Sequence, residues 1–142
     1  MSVMITYISQ GAISMEKNKG RVMIVDDDSD LLYLTKDILQ SNGYETHEFI
    51  NPTLALEKFK QNPNMYDLVL LDVRMEELDG RQVYKEMKQI NPNCKVYLFT
   101  GLDIDSNEFL KICPSFKEQQ LIRKPSRMDS LLKIVADAIV SG

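Results

Sequence analysis

The sequence has two cysteines, one histidine, no tryptophan and no long apolar run. The scarcity of these features argues against several classes of protein. No stretch approaches the roughly 20 apolar residues that span a membrane. The opening segment MSVMITYISQGAIS has no Lys or Arg ahead of it, so it lacks the charged start of a secretory signal. Cys94 and Cys113 have no CxxC spacing, which argues against a disulfide scaffold or a zinc site. We therefore expect a cytoplasmic protein without membrane contact.

Basic residues are also in the minority. The 17 Lys and Arg stand against 21 Asp and Glu, which gives a formal charge of −4. A general nucleic-acid binder needs a basic face, so we expect no direct nucleic-acid partner. The length of 142 residues suits one domain, and the content of 44% hydrophobic and 27% charged residues is that of a globular chain.

Short apolar runs alternate with segments of helical periodicity. We predict strands at 21–26, 44–49, 67–72, 95–100 and, more weakly, 119–124. We predict helices at 28–41, from Asn51-Pro52 onward, at 81–90 and at 127–140, with a short one around Ser106–Ile112. Each of the four longer helices has a stripe of residues predicted to face the core. The stripe consists of Leu31, Thr35, Ile38 and Leu39 in the first helix and of Ala55, Leu56 and Phe59 in the second. It consists of Val83, Tyr84, Met87 and Ile90 in the helix at 81–90, and of Met128, Leu131, Leu132, Val135 and Ile139 in the helix at 127–140. This alternation is typical of an α/β fold, in which helices cover both faces of a parallel sheet.

Polar side chains stand where four of the predicted strands end. The carboxyl ends of parallel strands meet at one edge of the sheet, and ligands bind there. We therefore expect the polar groups of these strand ends to converge. They are Asp26 and Asp27 after the first strand, Asp72 at the end of the third, Thr100 at the end of the fourth and Lys124 at the end of the fifth.

The chemistry of this set points to phosphoryl transfer. Close carboxylates repel one another and become tolerable around a divalent cation, and hard oxygen ligands suit Mg²⁺. A lysine and a threonine hydroxyl can bind phosphoryl oxygens, while a carboxylate can act as the nucleophile. An acid after a strand often only caps the next helix, but Asp28 or Ser29 is the better cap here.

At these residues the chain resembles the receiver domain of two-component response regulators, the CheY-like proteins. The matching stretches are VMIVDDD (22–28), LVLLDVRMEELDG (68–80), VYLFTG (96–101) and IRKP (122–125). The resemblance implies a flavodoxin-like (βα)₅ doubly wound parallel sheet with strand order 2-1-3-4-5. We therefore expect a receiver domain over 21–142, preceded by an N-terminal extension over 1–20.

The resemblance also implies roles for individual residues. Asp72 would accept the phosphoryl group, and Thr100 and Lys124 would each bind a phosphoryl oxygen. The donor would be a sensor histidine kinase or a phosphotransfer protein. The domain would catalyse its own phosphorylation and slow dephosphorylation, and we expect no independent enzyme. The implied Mg²⁺ ligands are Asp27 and Asp72 directly, Asp26 through water, and the backbone carbonyl of Arg74.

Two positions depart from the family pattern and keep other functions open. Glu76 stands where the family usually has proline, so the loop after the acceptor should be looser. Leu121 replaces the usual aromatic residue and has no ring to turn inward. A phosphorylation-independent adaptor that keeps the acidic pocket as a structural metal site therefore stays open. An Asp-nucleophile phosphatase ranks last, because Arg74 stands where that class usually has a second acid.

No output module is apparent after Ile139. Output would then pass through an unknown downstream protein, through a phosphorylation-dependent homodimer, or through use as a phosphate relay or sink. The role of residues 1–20 stays open among an extra helix or strand, a cloning remnant and a start codon upstream of Met15. His47 is expected to be a polar residue of a strand edge.

Overall fold

The computed structural model describes residues 18–73, 75, 78–100, 120–123 and 128–140. The strands in these ranges are β1 (Arg21–Val25), β2 (Glu45–Phe49), β3 (Leu68–Asp72), β4 (Val96–Thr100) and β5 (Leu121–Arg123). The helices are α1 (Ser29–Ser41), α2 (Pro52–Gln61), α3 (Gly80–Ile90) and α4 (Met128–Val140). The short helix predicted around Ser106–Ile112 lies outside the described residues. None of the helices described is both long enough and apolar enough to cross a membrane.

The strands form one parallel sheet in the order β2-β1-β3-β4-β5. This confirms the predicted order 2-1-3-4-5. All the strands end at the same edge of the sheet. The strand β2 is added on one side of β1, whereas β3, β4 and β5 are added on the other side, so the order of the strands reverses between β1 and β3. Such a reversal opens a crevice at the carboxyl ends of the strands, where α/β proteins bind ligands.

Helices cover both faces of the sheet. The α2 and α3 residues pack with one sheet face in a core cluster that includes Met23, Val69 and Leu98. The α1 and α4 residues pack with the other face around Ile24 and Leu70. The central strand β3 is buried at all five positions, which explains why its sequence is continuously apolar up to its last residue.

The helix starts follow local sequence signals. Asp28 caps α1, because its carboxylate accepts hydrogen bonds from the backbone N–H groups of Asp30 and Leu31 at 3.1 and 3.3 Å. Asn51 caps α2 in the same way, and Pro52 is the first helical residue. Both predicted helix starts are confirmed. The residue that caps α1 is Asp28, and not Asp26 or Asp27 before it.

The core-facing stripes of the first and last helices differ in detail from the prediction. In α1 the buried residues are Leu32, Thr35 and Leu39, whereas the predicted Leu31 is only partly buried. Two adjacent leucines fit the same helical period, and packing on the sheet selects the second. Among the described side chains of α4, the fully covered ones are Leu131, Val135 and Ala138, whereas the predicted Leu132 and Ile139 are only partly buried.

Candidate functional site

Three carboxylates converge above the ends of β1 and β3. One carboxylate oxygen from each of Asp26, Asp27 and Asp72 lies within 4.8 Å of the other two. Asp26 and Asp72 are 4% and 8% exposed, while Asp27 faces solvent. We call these three residues the acid cluster. The structure thus brings together the acids that the sequence places at two separate strand ends.

Backbone hydrogen bonds fix the part of the acid cluster that follows β1. The N–H of Asp26 donates to the carbonyl of Phe49 at 3.0 Å, which continues the pairing of β1 with β2 by one residue. The Asp26 carboxylate accepts from the N–H of Asp28 at 3.0 Å. Asp28 is in turn anchored as the cap of α1. The turn from β1 into α1 therefore holds Asp26 and Asp27 at the sheet edge.

The acid cluster fits a small divalent cation with oxygen ligands. Mg²⁺–oxygen distances are about 2.0–2.1 Å, so ligands on opposite sides of the ion stand about 4.2 Å apart. The three carboxylate oxygens lie within 4.8 Å of one another, so they are close enough to share one such ion, either directly or through a water. Two of the three carboxylates are buried, and like charges held this close repel one another, so a bound cation would offset their repulsion.

The structure describes the other predicted site residues only in part. Thr100 ends β4, one residue beyond Phe99, which pairs with Asp72. Its backbone therefore lies at the same carboxyl edge, and it pairs in turn with Arg123 of β5. Arg74 and Lys124 lie outside the described residues, so the metal-binding and phosphoryl-binding roles implied for them stay predictions.

The loop after Asp72 is closed by a backbone contact that the sequence analysis missed. The N–H of Gly80 donates to the carbonyl of Val73 at 2.8 Å. A Cβ at position 80 would lie 2.3 Å from the carbonyl oxygen of Asp72 and 2.7 Å from Cα of Val73, so only glycine fits. The Asp79-Gly80 dipeptide before a helical stripe signals a turn, but not this contact.

A second polar cluster lies at the opposite edge of the sheet. Nε of Arg21 is 2.8 Å from Oε2 of Glu45, and Nε2 of His47 is 3.0 Å from the same oxygen. Nδ1 of His47 is 2.7 Å from the hydroxyl of Tyr66. The hydrogen bond from Arg21 lowers the pKa of Glu45, and burial raises the pKa of Tyr66. These contacts tie the edge strand β2 to β1 and to the loop before β3.

Comparisons with known proteins agree with this architecture. The family model of the response regulator receiver domain matches residues 22–136. The chemotaxis protein CheY of Bacillus subtilis is 34% identical over 116 residues, which cover 81% of this chain and 93% of CheY. The receiver protein CpdR of Brucella abortus is 30% identical over 127 residues, which cover 86% of this chain and 98% of CpdR.

Solved structures show the same similarity. The crystal structure of a response regulator receiver domain protein from Clostridium thermocellum has a TM-score of 0.74 and 29% identity, and the match covers 84% of this chain and 93% of that one. The chain therefore belongs to the response regulator receiver domain family of two-component signalling, with a CheY-like, flavodoxin-like fold. The predicted resemblance and fold class are confirmed, whereas the domain boundary at residue 21 stays a prediction.

Proposed function

We propose that this receiver domain is a phosphorylation-dependent switch. Asp72 accepts a phosphoryl group with the help of Mg²⁺, and the phosphorylated form changes its binding to a downstream protein. The observation that carries the proposal is the convergence of Asp26, Asp27 and Asp72 within 4.8 Å at the carboxyl edge of the sheet. Membership of the receiver family supports it. The proposed donor is a phosphohistidine on a sensor histidine kinase or a phosphotransfer protein.

The acceptor chemistry follows from the position of Asp72. A carboxylate oxygen of Asp72 attacks the phosphorus atom, and the bond from phosphorus to the donor imidazole breaks with its electron pair left on nitrogen. The product is an acyl phosphate on Asp72. A bound Mg²⁺ would offset the negative charge of the carboxylates and of the phosphoryl oxygens. Asp72 is 8% exposed, so most of the residue is shielded from bulk water.

The remaining residues complete the proposal. Asp27 and Asp72 would hold Mg²⁺ directly, Asp26 would act through water, and the carbonyl of Arg74 would supply a further ligand. Thr100 and Lys124 would bind phosphoryl oxygens, a role that the place of Thr100 at the end of β4 favours. We further propose a cytoplasmic protein whose receiver unit begins at Arg21. Its output would pass through a partner protein or a homodimer formed on phosphorylation.

A phosphorylation-independent adaptor is the second candidate. Leu121 favours it, because this residue stands where the family usually has an aromatic ring that reports phosphorylation. In the structure Leu121 pairs with Leu98 in the sheet and packs against the core cluster under α2 and α3. An adaptor would keep the acid cluster as a structural metal site and would not form an acyl phosphate.

One experiment separates the two functions. The protein is incubated with Mg²⁺ and acetyl phosphate, and its intact mass is measured alongside that of two variants. The switch predicts a gain of one phosphoryl group in the parent and none in Asp72→Asn. The matched control is Asp28→Asn, which changes a neighbouring acid but keeps a good helix cap, and it should still gain the phosphoryl group. A folded parent that forms no adduct with acetyl phosphate, and no Mg²⁺-dependent beryllofluoride complex, would support the adaptor.

A further inference from the structure

We propose that the strand β2 is a contact surface for a second copy of this chain. In the proposed dimer the two β2 strands lie antiparallel, and His47 faces His47 of the second copy across a two-fold axis. The two five-stranded sheets then continue into one another through β2. The contact includes no residue of the acid cluster, so this dimer is distinct from the homodimer proposed to form on phosphorylation.

The strand β2 is one edge of the described sheet. It pairs with β1 on one side, and no described strand pairs with its other side. Four of the five residues of β2 are partly exposed, whereas all five residues of the central strand β3 are buried. Ile50, which follows β2 directly, is 58% exposed. An edge strand of this kind is a template for the addition of a further strand.

Backbone hydrogen bonds show which groups of β2 point away from β1. The N–H of Glu45 donates to the carbonyl of Gly20 at 2.9 Å, and the carbonyl of Phe49 accepts from the N–H of Asp26 at 3.0 Å. The odd-numbered residues of β2 therefore direct their backbone groups toward β1. Because successive residues of a strand alternate, the even-numbered residues direct their N–H and carbonyl groups outward.

The outward groups restrict how a second copy can pair with β2. The even-numbered residues within the strand are Thr46 and Glu48. In an antiparallel pair, the residues that exchange hydrogen bonds face each other. With His47 on the two-fold axis, Thr46 faces Glu48 of the second copy, and Glu48 faces Thr46 of the second copy. Each of these two pairs can then form both of its N–H···O bonds.

The acidic residues of β2 disfavour two of the other two-fold registers. A register centred on Glu45 or on Glu48 would place two carboxylates directly opposite each other, which destabilises a strand pair. In the register centred on His47, Glu45 instead faces Phe49 of the second copy. The two glutamates therefore favour the central register and act against its neighbours.

The remaining registers within β2 lose hydrogen bonds. A register centred on Thr46 needs the N–H of Tyr44, which already donates to the carbonyl of Leu39 at 3.1 Å. A register centred on Phe49 needs an N–H from Pro52, and proline has none. A two-fold contact is also closed, because it uses the same surface on both copies. The sequence of β2 therefore favours one closed dimer.

The dimer is expected to be weak and to leave both acid clusters accessible. A contact between two short strands is expected to bury less than the roughly 1,200–2,000 Å² of stable protein interfaces. Its dissociation constant should therefore be micromolar or higher. Because the two β2 strands are antiparallel, the carboxyl edges of the two sheets point in opposite directions. Each acid cluster then stays at an outer rim of the dimer.

The first test is disulfide cross-linking, which measures the register directly. The variants carry Cys94→Ala and Cys113→Ser, so the introduced cysteine is the only thiol. At the two-fold axis, a residue and its copy have Cα atoms about 4.5 Å apart, which suits a disulfide. His47→Cys should therefore form a linked dimer under mild oxidation at least about tenfold faster than the control Glu48→Cys. The control cysteine faces Thr46 of the second copy and lies too far from its own copy.

The second test measures self-association by sedimentation, in the chain that keeps both native cysteines. The average mass of the parent should rise toward that of a dimer as the concentration increases to about 500 μM. Glu48→Pro removes an outward N–H without removing a bond to β1, so it should abolish the rise. The matched control Glu48→Ala removes the same carboxylate but keeps the N–H, and it should still dimerise. Mg²⁺ with beryllofluoride should leave the association of the parent unchanged.

Four outcomes overturn the proposal. The parent stays monomeric at the highest concentration, whatever else then covers β2; Glu48→Pro and Glu48→Ala associate equally; His47→Cys and Glu48→Cys cross-link at equal rates; or association requires beryllofluoride. Should His47→Cys fail to fold, the proline and alanine variants decide. Failure of the proposed function looks different, because the parent would form no adduct with acetyl phosphate and would still dimerise through β2.

Discussion

Asp26 lies beside Asp72 because the parallel register that pairs Val25 with Leu71 continues by one residue where β1 and β3 end. Both side chains are more than nine-tenths buried. Two carboxylates this close repel each other when both are ionised. Such a repulsion would lower the stability of the folded protein, and the cation proposed for this site would offset it. The proposed cation binding is therefore expected to raise the stability of the fold.

This linkage predicts that Mg²⁺ raises the free energy of unfolding. A cation that binds only the folded state adds about 2.7 kcal/mol at a concentration 100 times its dissociation constant. Asp26→Asn should lose much of this gain, while its metal-free form should be more stable than the metal-free parent. The asparagine keeps an oxygen that can accept from the N–H of Asp28. Urea unfolding with and without Mg²⁺ measures both effects.

The control for this prediction is Asp37→Asn, an exposed acid on α1. It should change the metal-free stability little and keep the full gain from Mg²⁺. A parent whose urea midpoint does not respond to Mg²⁺ would contradict the linkage. So would an Asp26→Asn variant that is less stable than the parent without the metal.

The sheet and the acid cluster could both be predicted because one sequence signal, an apolar run that ends at a polar residue, determines both. Each apolar run that forms a strand stops at a polar residue, as at Asp72 after LVLL. Because the strands are parallel, the polar residues that end them lie at one edge of the sheet. Asp26 and Asp72 therefore meet although 45 residues lie between them in the chain (72 minus 26, less one). The caps Asp28 and Asn51 were predictable for a different reason, since a cap bonds only residues two or three positions ahead.

The buried face of α1 and the contact at Gly80 depend on tertiary packing, so they could not be predicted from the sequence. Leu31 and Leu32 fit the stripe of α1 equally well, and only contact with the sheet distinguishes them. The Asp79-Gly80 dipeptide predicts a turn, but the 2.3 Å approach to the Asp72 carbonyl depends on how α3 docks. Hydrophobic pattern carries no information about such a backbone contact. The close approach of Gly80 to the end of β3 therefore emerges only from the folded chain.

The cap of α1 gives a prediction about stability. The Asp28 carboxylate accepts from two backbone N–H groups that have no partner within the helix. Asp28→Ala should lower the free energy of unfolding by about 1 kcal/mol, whereas Asp28→Asn should cost much less because asparagine caps nearly as well. Urea unfolding of both variants measures the difference. Equal losses in the two variants would show that charge, rather than capping, is what Asp28 contributes.

The ion pair of Arg21 with Glu45 gives a prediction about acid stability. The hydrogen bond from Arg21 lowers the pKa of Glu45 in the folded protein. The ionised carboxyl therefore stabilises the fold above the pKa of an unfolded glutamate, about 4.3. That contribution disappears as the pH falls through the lower folded pKa. Glu45→Gln should be less stable than the parent at pH 7, and the difference should shrink below pH about 4.3.

Urea midpoints of the parent and the variant across this pH range measure the effect. The control is Glu57→Gln, which makes the same change at an exposed glutamate of α2. Its stability difference from the parent should vary with pH less than that of Glu45→Gln. A difference for Glu45→Gln that grows toward low pH would contradict the sign worked out above.

Cys94 gives a prediction about reactivity. The thiol is 6% exposed, and burial raises its pKa above the ordinary range. The thiolate is the reactive form, so iodoacetamide should label Cys94 slowly in the folded protein and rapidly in urea. The neutral thiol favoured by burial stabilises the fold below the pKa of an unfolded thiol, about 8.5, and this contribution is lost as the pH rises through the folded pKa. Peptide mapping follows the label on Cys94 separately from Cys113, and Cys94→Ala identifies its peptide. Equal labelling rates with and without urea would show that the thiol is accessible in the native fold.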